Sequence, residues 1–252
     1  MIYKYREFGE YTDKIILNSE LFFATYNSFN DPFDCNLDVN SYNNDEFDSY
    51  IDDFCESYPQ TKSTLLKGQS KKEFREVIKS KLEEFKSHTG ILSMSRKNKN
   101  ILMWSHYSDH HKGLCFGFEK MIFEGAKGQK VDYAKKNKYD LISYLDDSGE
   151  ELKRVFMSKS KYWKYEKEFR FIELGHTGVK KYNKNKLKQI IFGCKADDTN
   201  IKKIIQLCQI NGFEHVKFKK AKLIPGKFAL DFDDIDKDLY LNQGLEGLGS
   251  LN

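Results

Sequence analysis

Side-chain alternation predicts two strands at opposite ends of the chain's chemistry. Over Ile2–Arg6, Tyr3 and Tyr5 alternate with Lys4 and Arg6, giving an aromatic face and a cationic face. Over Glu168–Ile172, Phe169 and Phe171 point one way while Glu168, Arg170 and Ile172 point the other. An extended start two residues earlier would put Glu166 beside Glu168 on the same face. The turn before this strand, Lys161–Tyr165, is aromatic and basic. Further strands are predicted at 21–25, 91–95 (with Ser93 and Ser95 on one face), 113–118, 130–133, 188–193, 215–218 and 221–224. Helices are predicted at 13–17, 101–107 and 150–158, with another capped by Asp197 whose apolar face holds Ile201, Ile204, Ile205 and Leu207. Residues 45–86 read as helical, with Phe74, Val77, Ile78, Leu82 and Phe85 at helical spacing.

Together these elements predict one α/β or α+β domain over 1–242, with a helical insertion at 41–90 and a flexible tail at 243–252. At 252 residues, with 20 Phe and 15 Tyr, the chain can bury a sizeable aromatic core. No apolar run reaches membrane-spanning length and the start, Met1–Arg6, carries no signal-peptide pattern. Five scattered cysteines without a Cys-x-x-Cys spacing argue against a disulfide framework or a zinc knuckle. The expected setting is therefore cytoplasmic and reduced, with no membrane partner.

Net charge is only +4, but it is unevenly spread. No Lys or Arg occurs from Ile15 to Thr61, where acids gather at Asp45, Glu46, Asp48, Asp52, Asp53 and Glu56. Later stretches such as Lys135–Lys138, Lys180–Lys181 and Lys219–Lys220 are basic. A basic face attracts nucleic acid or another anion, although lysines also simply solvate a surface.

Candidate chemistry centres on the carboxylates. Glu166 and Glu168 placed side by side repel, so the pair needs a cation, a substrate hydroxyl or a raised pKa. The plain reading is a salt-bridged edge strand with Lys164, Lys167 and Arg170 as solvated partners. Ser28–Asp34 contains Asn30-Asp31-Pro32, a rigid turn that Phe29 and Phe33 would pin to the core, leaving Asn30, Asp31 or Asp34 to line a pocket. His106 and His110 lie one helical turn apart, with His111 adjacent, but no Glu or Cys completes a ligand set, so no metal is expected. Gly-x-Gly-x-x-Gly, Walker and serine-nucleophile patterns are absent.

Tyr-Lys-Tyr-Arg at 3–6, Phe-Asn-Asp-Pro-Phe-Asp at 29–34, Leu-Met-Trp-Ser-His-Tyr at 102–107 and Trp-Lys-Tyr-Glu-Lys-Glu-Phe-Arg at 163–170 resemble the bacterial domain-of-unknown-function family 2971 over nearly the whole chain. A looser resemblance carries more chemistry. Arg6, then Ser93-Met94-Ser95, then Glu166-Lys167-Glu168 behind Tyr162, Trp163 and Tyr165, are similar in order to the Arg–Ser–Glu ADP-ribosyltransferases. Methionine stands where that family usually has threonine between the serines.

This second resemblance implies a mixed, mainly antiparallel split sheet and NAD as substrate. In that reading Glu168 and Glu166 are catalytic, facing the ribose cation and the acceptor respectively. Arg6, Ser93, Ser95 and Tyr107 hold NAD, with Arg6 on the pyrophosphate. Trp163, Tyr165, Asn30, Asp31 and Asp34 contact the macromolecular acceptor, a protein or nucleic acid. A toxin or phage-defence effector with an antitoxin or defence-system partner is the implied setting. Two alternatives stay open: a metal-dependent nuclease using Asp31, Asp34 and Glu168, and a catalytically silent nucleotide-sensing or interaction module.

Overall fold

The computed structural model describes residues 1–35, 44–59, 70–134 and 155–242. The predicted tail at 243–252, the basic run 135–138, residues 41–43 and 60–69 of the predicted insertion and residues 150–154 of the predicted helix lie outside the described residues.

An eight-stranded sheet carries the molecule. Its strands are β1 (Ile2–Arg6), β3 (Gly90–Ser95), β4 (Leu114–Phe118), β5 (Gln129–Lys130), β8 (Glu168–Glu173), β10 (Leu187–Phe192), β11 (Lys217–Leu223) and β12 (Leu230–Asp234). Their spatial order is β12-β11-β10-β4-β1-β3-β8-β5, and only the β10–β11 pairing is parallel. Two small sheets flank it: β2 (Glu20–Phe23) with β9 (Gly178–Lys181), and β6 (Asp132–Ala134) with β7 (Ser158–Ser160). The architecture is thus mixed α/β on a large, mainly antiparallel sheet.

Burial explains the central strands. Every residue of β4 is buried, as its unbroken apolar run requires of a strand covered on both faces. Leu114, Phe116 and Phe118 join Ile190 and Phe192 under α1 (Glu10–Leu17) and α5 (Asp198–Ile210), whose Ile15, Ile16, Ile201, Ile204 and Ile205 close the main core. On the opposite face, Tyr5, Cys115 and Ile191 pack against Met103 and Trp104 of α4 (Ile101–Tyr107). Trp104 is fully buried, meets Tyr5 edge-on at 5.1 Å and donates from Nε1 to the Asn98 carbonyl at 2.7 Å.

The sheet is joined weakly at one place. β1 pairs with β4 at five residues and β3 pairs with β8 at six, but β1 and β3 share the single register pair Tyr3↔Ser95. Beyond that pair the two halves part, and Lys4 Nζ reaches across to the Ser93 carbonyl at 2.8 Å.

The predicted 45–86 helical stretch is two helices, α2 (Asn44–Ser57) and α3 (Lys71–Ser87). Its acidic-then-basic order has a physical use, because Lys71 pairs with Asp52 at 2.6 Å and Arg75 with Asp48 at 2.7 Å. Ser70 and Glu73 form a capping box at the start of α3. Phe74 and Leu82 are buried, Phe85 packs on Phe156 and Val77 is exposed; the Ile78 side chain lies outside the described residues. A final short helix, α6 (Lys237–Asn242), follows β12.

Several boundaries differ from expectation. Ser158, read as the end of a helix, begins β7. The two late strands at 215–218 and 221–224 are one strand, β11, because Lys219 and Lys222 bond Asp234 and Asp233 of β12 and so remain in the ladder. β9, β12 and α6 were not predicted.

Trp104→Ala should lower stability by about 3–5 kcal/mol, the scale for emptying a large aromatic site. Ser70→Ala should cost about 1 kcal/mol through loss of one cap. Urea unfolding midpoints of the two variants check this ordering.

Candidate functional site

The chain reaches the site through an abrupt reversal. Lys161–Glu166 is a 3-10 turn and β8 begins at Glu168, so Glu166 does not extend the strand as expected. Between them Lys167 takes a left-handed backbone at φ 47°, a sterically costly conformation for a residue with a side chain. Arg96 holds it there, donating from its backbone N–H at 2.9 Å and from Nε at 3.2 Å to the Lys167 carbonyl.

Glu166 and Glu168 still converge, on Lys159 of β7. Lys159 Nζ donates to Glu166 Oε2 at 2.6 Å and to Glu168 Oε2 at 3.1 Å, and lies 3.4 Å from Asp34 Oδ2. The cation that the side-by-side carboxylates require is therefore a lysine seven residues before the first of them. Lys159 was not among the sequence candidates. A lone Lys in Ser158-Lys159-Ser160 carries no periodic or motif signal that would single it out.

Arg170 is the second missed residue. It is fully buried rather than solvated, and each of its five N–H groups finds an acceptor. Nε donates to Glu168 Oε1 at 2.7 Å, one terminal nitrogen to Glu168 Oε2 at 3.1 Å and Asp34 Oδ2 at 2.6 Å, and the other to Asp34 Oδ1 at 2.9 Å and the Phe156 carbonyl at 2.6 Å. Phe29 lies over the guanidinium, its ring centroid 5.5 Å away. Strand alternation in the sequence already put Arg170 on the face of Glu168; what it could not show was that this face is closed by the 31–35 turn.

Three carboxylates thus share two cations out of water. Burial would raise the Glu168 carboxyl, but Arg170 and then Lys159 outweigh it and push it down to about 2. For Glu166 burial wins over Lys159 and the Tyr107 hydrogen bond, and its pKa is raised. Tyr107 donates to Glu166 Oε1 at 2.5 Å and accepts from Asn30 Nδ2 at 3.2 Å. Ser95 is occupied structurally, donating to the Glu166 carbonyl at 2.6 Å and accepting from the Lys97 N–H at 3.1 Å. Ser93 beside it contributes the least to lowering Glu168.

Where the sheet halves part lies a cavity of about 420 Å³. Arg6, Asn30, Asp34, Ser93, Ser95, Tyr107, Glu166 and Glu168 all line it. Three of the expected residues do not. Asp31 is buried and serves the turn, accepting from the Phe33 N–H at 2.9 Å. Trp163 lies beside Lys159, with its ring centroid 5.1 Å from Nζ, and Tyr165 packs between Trp163 and His106. Phe33, expected in the core, is 69% exposed; Phe29 alone of that pair turns inward. Among the described residues, no group of three or more His, Cys, Asp or Glu is arranged to hold a metal ion, and His106 packs on Tyr107 and Tyr165.

Residues 103–171 match the family model described as a protein of unknown function (DUF2971). No curated protein and no solved structure matches the chain. The matched segment carries Tyr107, Lys159, Glu166, Glu168 and Arg170, whereas the motifs at 3–6 and 29–34 lie outside it, so the match is narrower than the resemblance drawn over nearly the whole chain. Among the described residues, no helix is long and apolar enough to cross a membrane.

Glu168→Gln should cost about 3–5 kcal/mol, because it leaves buried cations short of a counter-charge. Glu166→Gln should change stability by about 1 kcal/mol or less, since burial already favours its neutral form. The pH dependence follows from the signs. Glu166, raised in the fold, makes the protein more stable as pH falls from neutral towards 4.5, its ordinary value. Glu168, depressed in the fold, contributes stability that is full above 4.5 and lost as pH falls towards about 2. Urea midpoints across acid pH should therefore rise and then fall in the wild type, and Glu166→Gln should abolish the rise.

Proposed function

We propose that the chain is an NAD-dependent ADP-ribosyltransferase acting on a protein or nucleic acid. One observation carries this reading. Arg6, Ser93 and Glu168, which belong to three different strands, line a single cavity at the parting of the sheet.

Breaking the nicotinamide–ribose bond builds positive charge on the ribose, as in glycoside hydrolysis. A carboxylate that stays ionised beside that charge stabilises the transition state more than the ground state. Glu168, held at about 2, is ionised at neutral pH and lines the cavity with Ser93, so it is the group assigned to the ribose. Glu166, with a raised pKa and a Tyr107 hydrogen bond, is assigned to proton transfer at the acceptor. Arg6 takes the pyrophosphate through its planar donors. Trp163 and Tyr165, outside the cavity lining and on the turn that ends at Glu166, belong in this reading to acceptor contact. A toxin or phage-defence role in the cytoplasm, with a neutralising partner, is consistent with such an activity.

A second reading rests on a specific observation: Glu168 is fully engaged by Arg170 and Lys159. A carboxylate so neutralised suits a module that binds the nucleotide without turnover. The nuclease reading is weaker, because Asp34 and Glu168 face the same two side-chain cations rather than an open metal position, and Asp31 does not line the cavity.

Nicotinamide release and label transfer from NAD, with and without chelator, test the proposal. Wild type should release nicotinamide, and Glu168→Gln, assayed where urea titration shows it folded, should fall roughly a hundredfold. Glu166→Gln should lose transfer while retaining NAD hydrolysis. Tight NAD binding without release would establish the silent module instead, and chelator-sensitive cleavage of nucleic acid without NAD would establish the nuclease.

A further inference from the structure

A second cavity, of about 630 Å³, lies between α1, β2 and the parted strands β1 and β3. It shares the walls Lys4, Arg6, Phe22, Ala24, Phe29 and Ser93 with the first. Its volume falls in the range of small-molecule sites.

The two cations on this shared wall have spare capacity. Lys4 and Arg6 are two residues apart on β1 and so project to the same side of the strand. Arg6 Nε is buried without a hydrogen-bond partner among the described residues. Lys4 Nζ donates to the Ser93 carbonyl, an interaction that uses one of its three N–H groups. By contrast, Lys159 and Arg170 are saturated by carboxylates. Burial, and then Arg6 beside it, push Lys4 down to about 8, despite the pull of Glu168. An arriving anion would favour the charged form of both side chains.

Around these cations the lining is mainly apolar and aromatic, and it carries one carboxylate, Glu20, which accepts from Asn18 Nδ2 at 3.2 Å. Ile15, Leu21, Phe29 and Ile91 line it, and Tyr11, Phe22 and Val179 stand at it largely exposed, at 74%, 61% and 56%. Phe22 and Val179 are cross-strand partners, so their positions are fixed by the β2–β9 ladder. Lys14, also on the lining, is already paired with Glu10 at 2.7 Å.

We infer that Lys4 and Arg6 clamp the phosphate of an aromatic phosphate ester, a nucleoside monophosphate or the equivalent half of a dinucleotide, whose base lies in the cavity beside Phe22. On binding, Lys4 donates a spare N–H to a phosphate oxygen while keeping its bond to the Ser93 carbonyl. The site shares Arg6 with the reading above but requires neither NAD cleavage nor Glu168.

Calorimetric titration of the full chain with AMP, adenosine, inorganic phosphate and NAD tests the site. AMP should bind more tightly than adenosine or inorganic phosphate, each of which supplies half of the contacts. Lys4→Met should weaken AMP about tenfold or more, the scale of one charge-assisted hydrogen bond, and leave adenosine unchanged. Phe22→Ser should weaken both AMP and adenosine. Added salt should weaken AMP binding to the unmodified protein, a readout independent of any variant's folding. NAD binding in competition with AMP assigns the site to a dinucleotide half, and AMP binding without competition assigns it to a free mononucleotide. Absence of AMP binding, or equal AMP affinity of wild type and Lys4→Met, overturns the inference. AMP binding without nicotinamide release upholds this site while rejecting the transferase, and the reverse pattern does the opposite.

Discussion

The buried network of Lys159, Arg170, Asp34, Glu166 and Glu168 is the constraint around which the site half of this fold is arranged. Taking two cations and three carboxylates out of water costs several kcal/mol per ion unless geometry and hydrogen bonding return it. Here the return is close to complete, with every Arg170 donor engaged and Lys159 within 3.4 Å of all three carboxylates. Such a network tolerates little displacement, so it fixes four separate pieces of chain against one another: the 31–35 turn, β7, the 161–166 turn and β8. The formal excess of one negative charge has a matching relief in Glu166, whose neutral form burial favours.

A sheet joined through one register pair would be a weak seam, but a shared aromatic core spans it. Ile2, Phe116 and Phe118 of the β4–β1 half and Leu92, Met94, Phe169 and Phe171 of the β3–β8 half belong to one cluster, and the ion network adds to the second half. Because that core, rather than ladder hydrogen bonds, holds the halves together, the space along the seam can remain open for a ligand. Lys4 then has two uses there, satisfying an otherwise unpaired strand carbonyl and offering charge to the space itself.

Much of this was legible in the residues and some of it was not, for definite reasons. Alternation placed Phe169 and Phe171 against Glu168 and Arg170, and apolar runs marked β4 and β10 as buried strands, because burial on one face or two leaves a direct imprint on spacing. The 101–107 helix and the Asp197 cap were likewise readable from local chemistry. Lys159 was invisible, since its partners follow at seven and nine residues, and one of them belongs to a turn rather than to the strand. Phe33 looked like a core residue and Phe29 its equal; only the closing of the turn by Asp31 decides which ring faces inward. Charged strands were the other blind spot. Lys217–Leu223 reads as broken because its lysines look like loop, whereas Asp233 and Asp234 across the ladder keep it extended.

The charge layout along the seam narrows what the cavity can accept. At one end stand Lys4 and Arg6, which among the described residues form no ion pair; at the other stands a cluster whose formal charge is one negative in excess. The charged groups at both ends are wholly or largely buried, so they act at an effective dielectric below that of bulk solvent and are screened only partly by salt. A uniformly anionic polymer would be drawn to the first end and repelled by the second. A uniformly cationic one would meet the reverse. A ligand anionic at the Arg6 end and cationic at the Glu168 end, whose positive charge shifts onto the ribose during reaction, is opposed at neither. That is the charge course of a pyrophosphate-linked riboside losing a leaving group, and it is why the proposed chemistry fits this cleft better than backbone hydrolysis of a nucleic acid does.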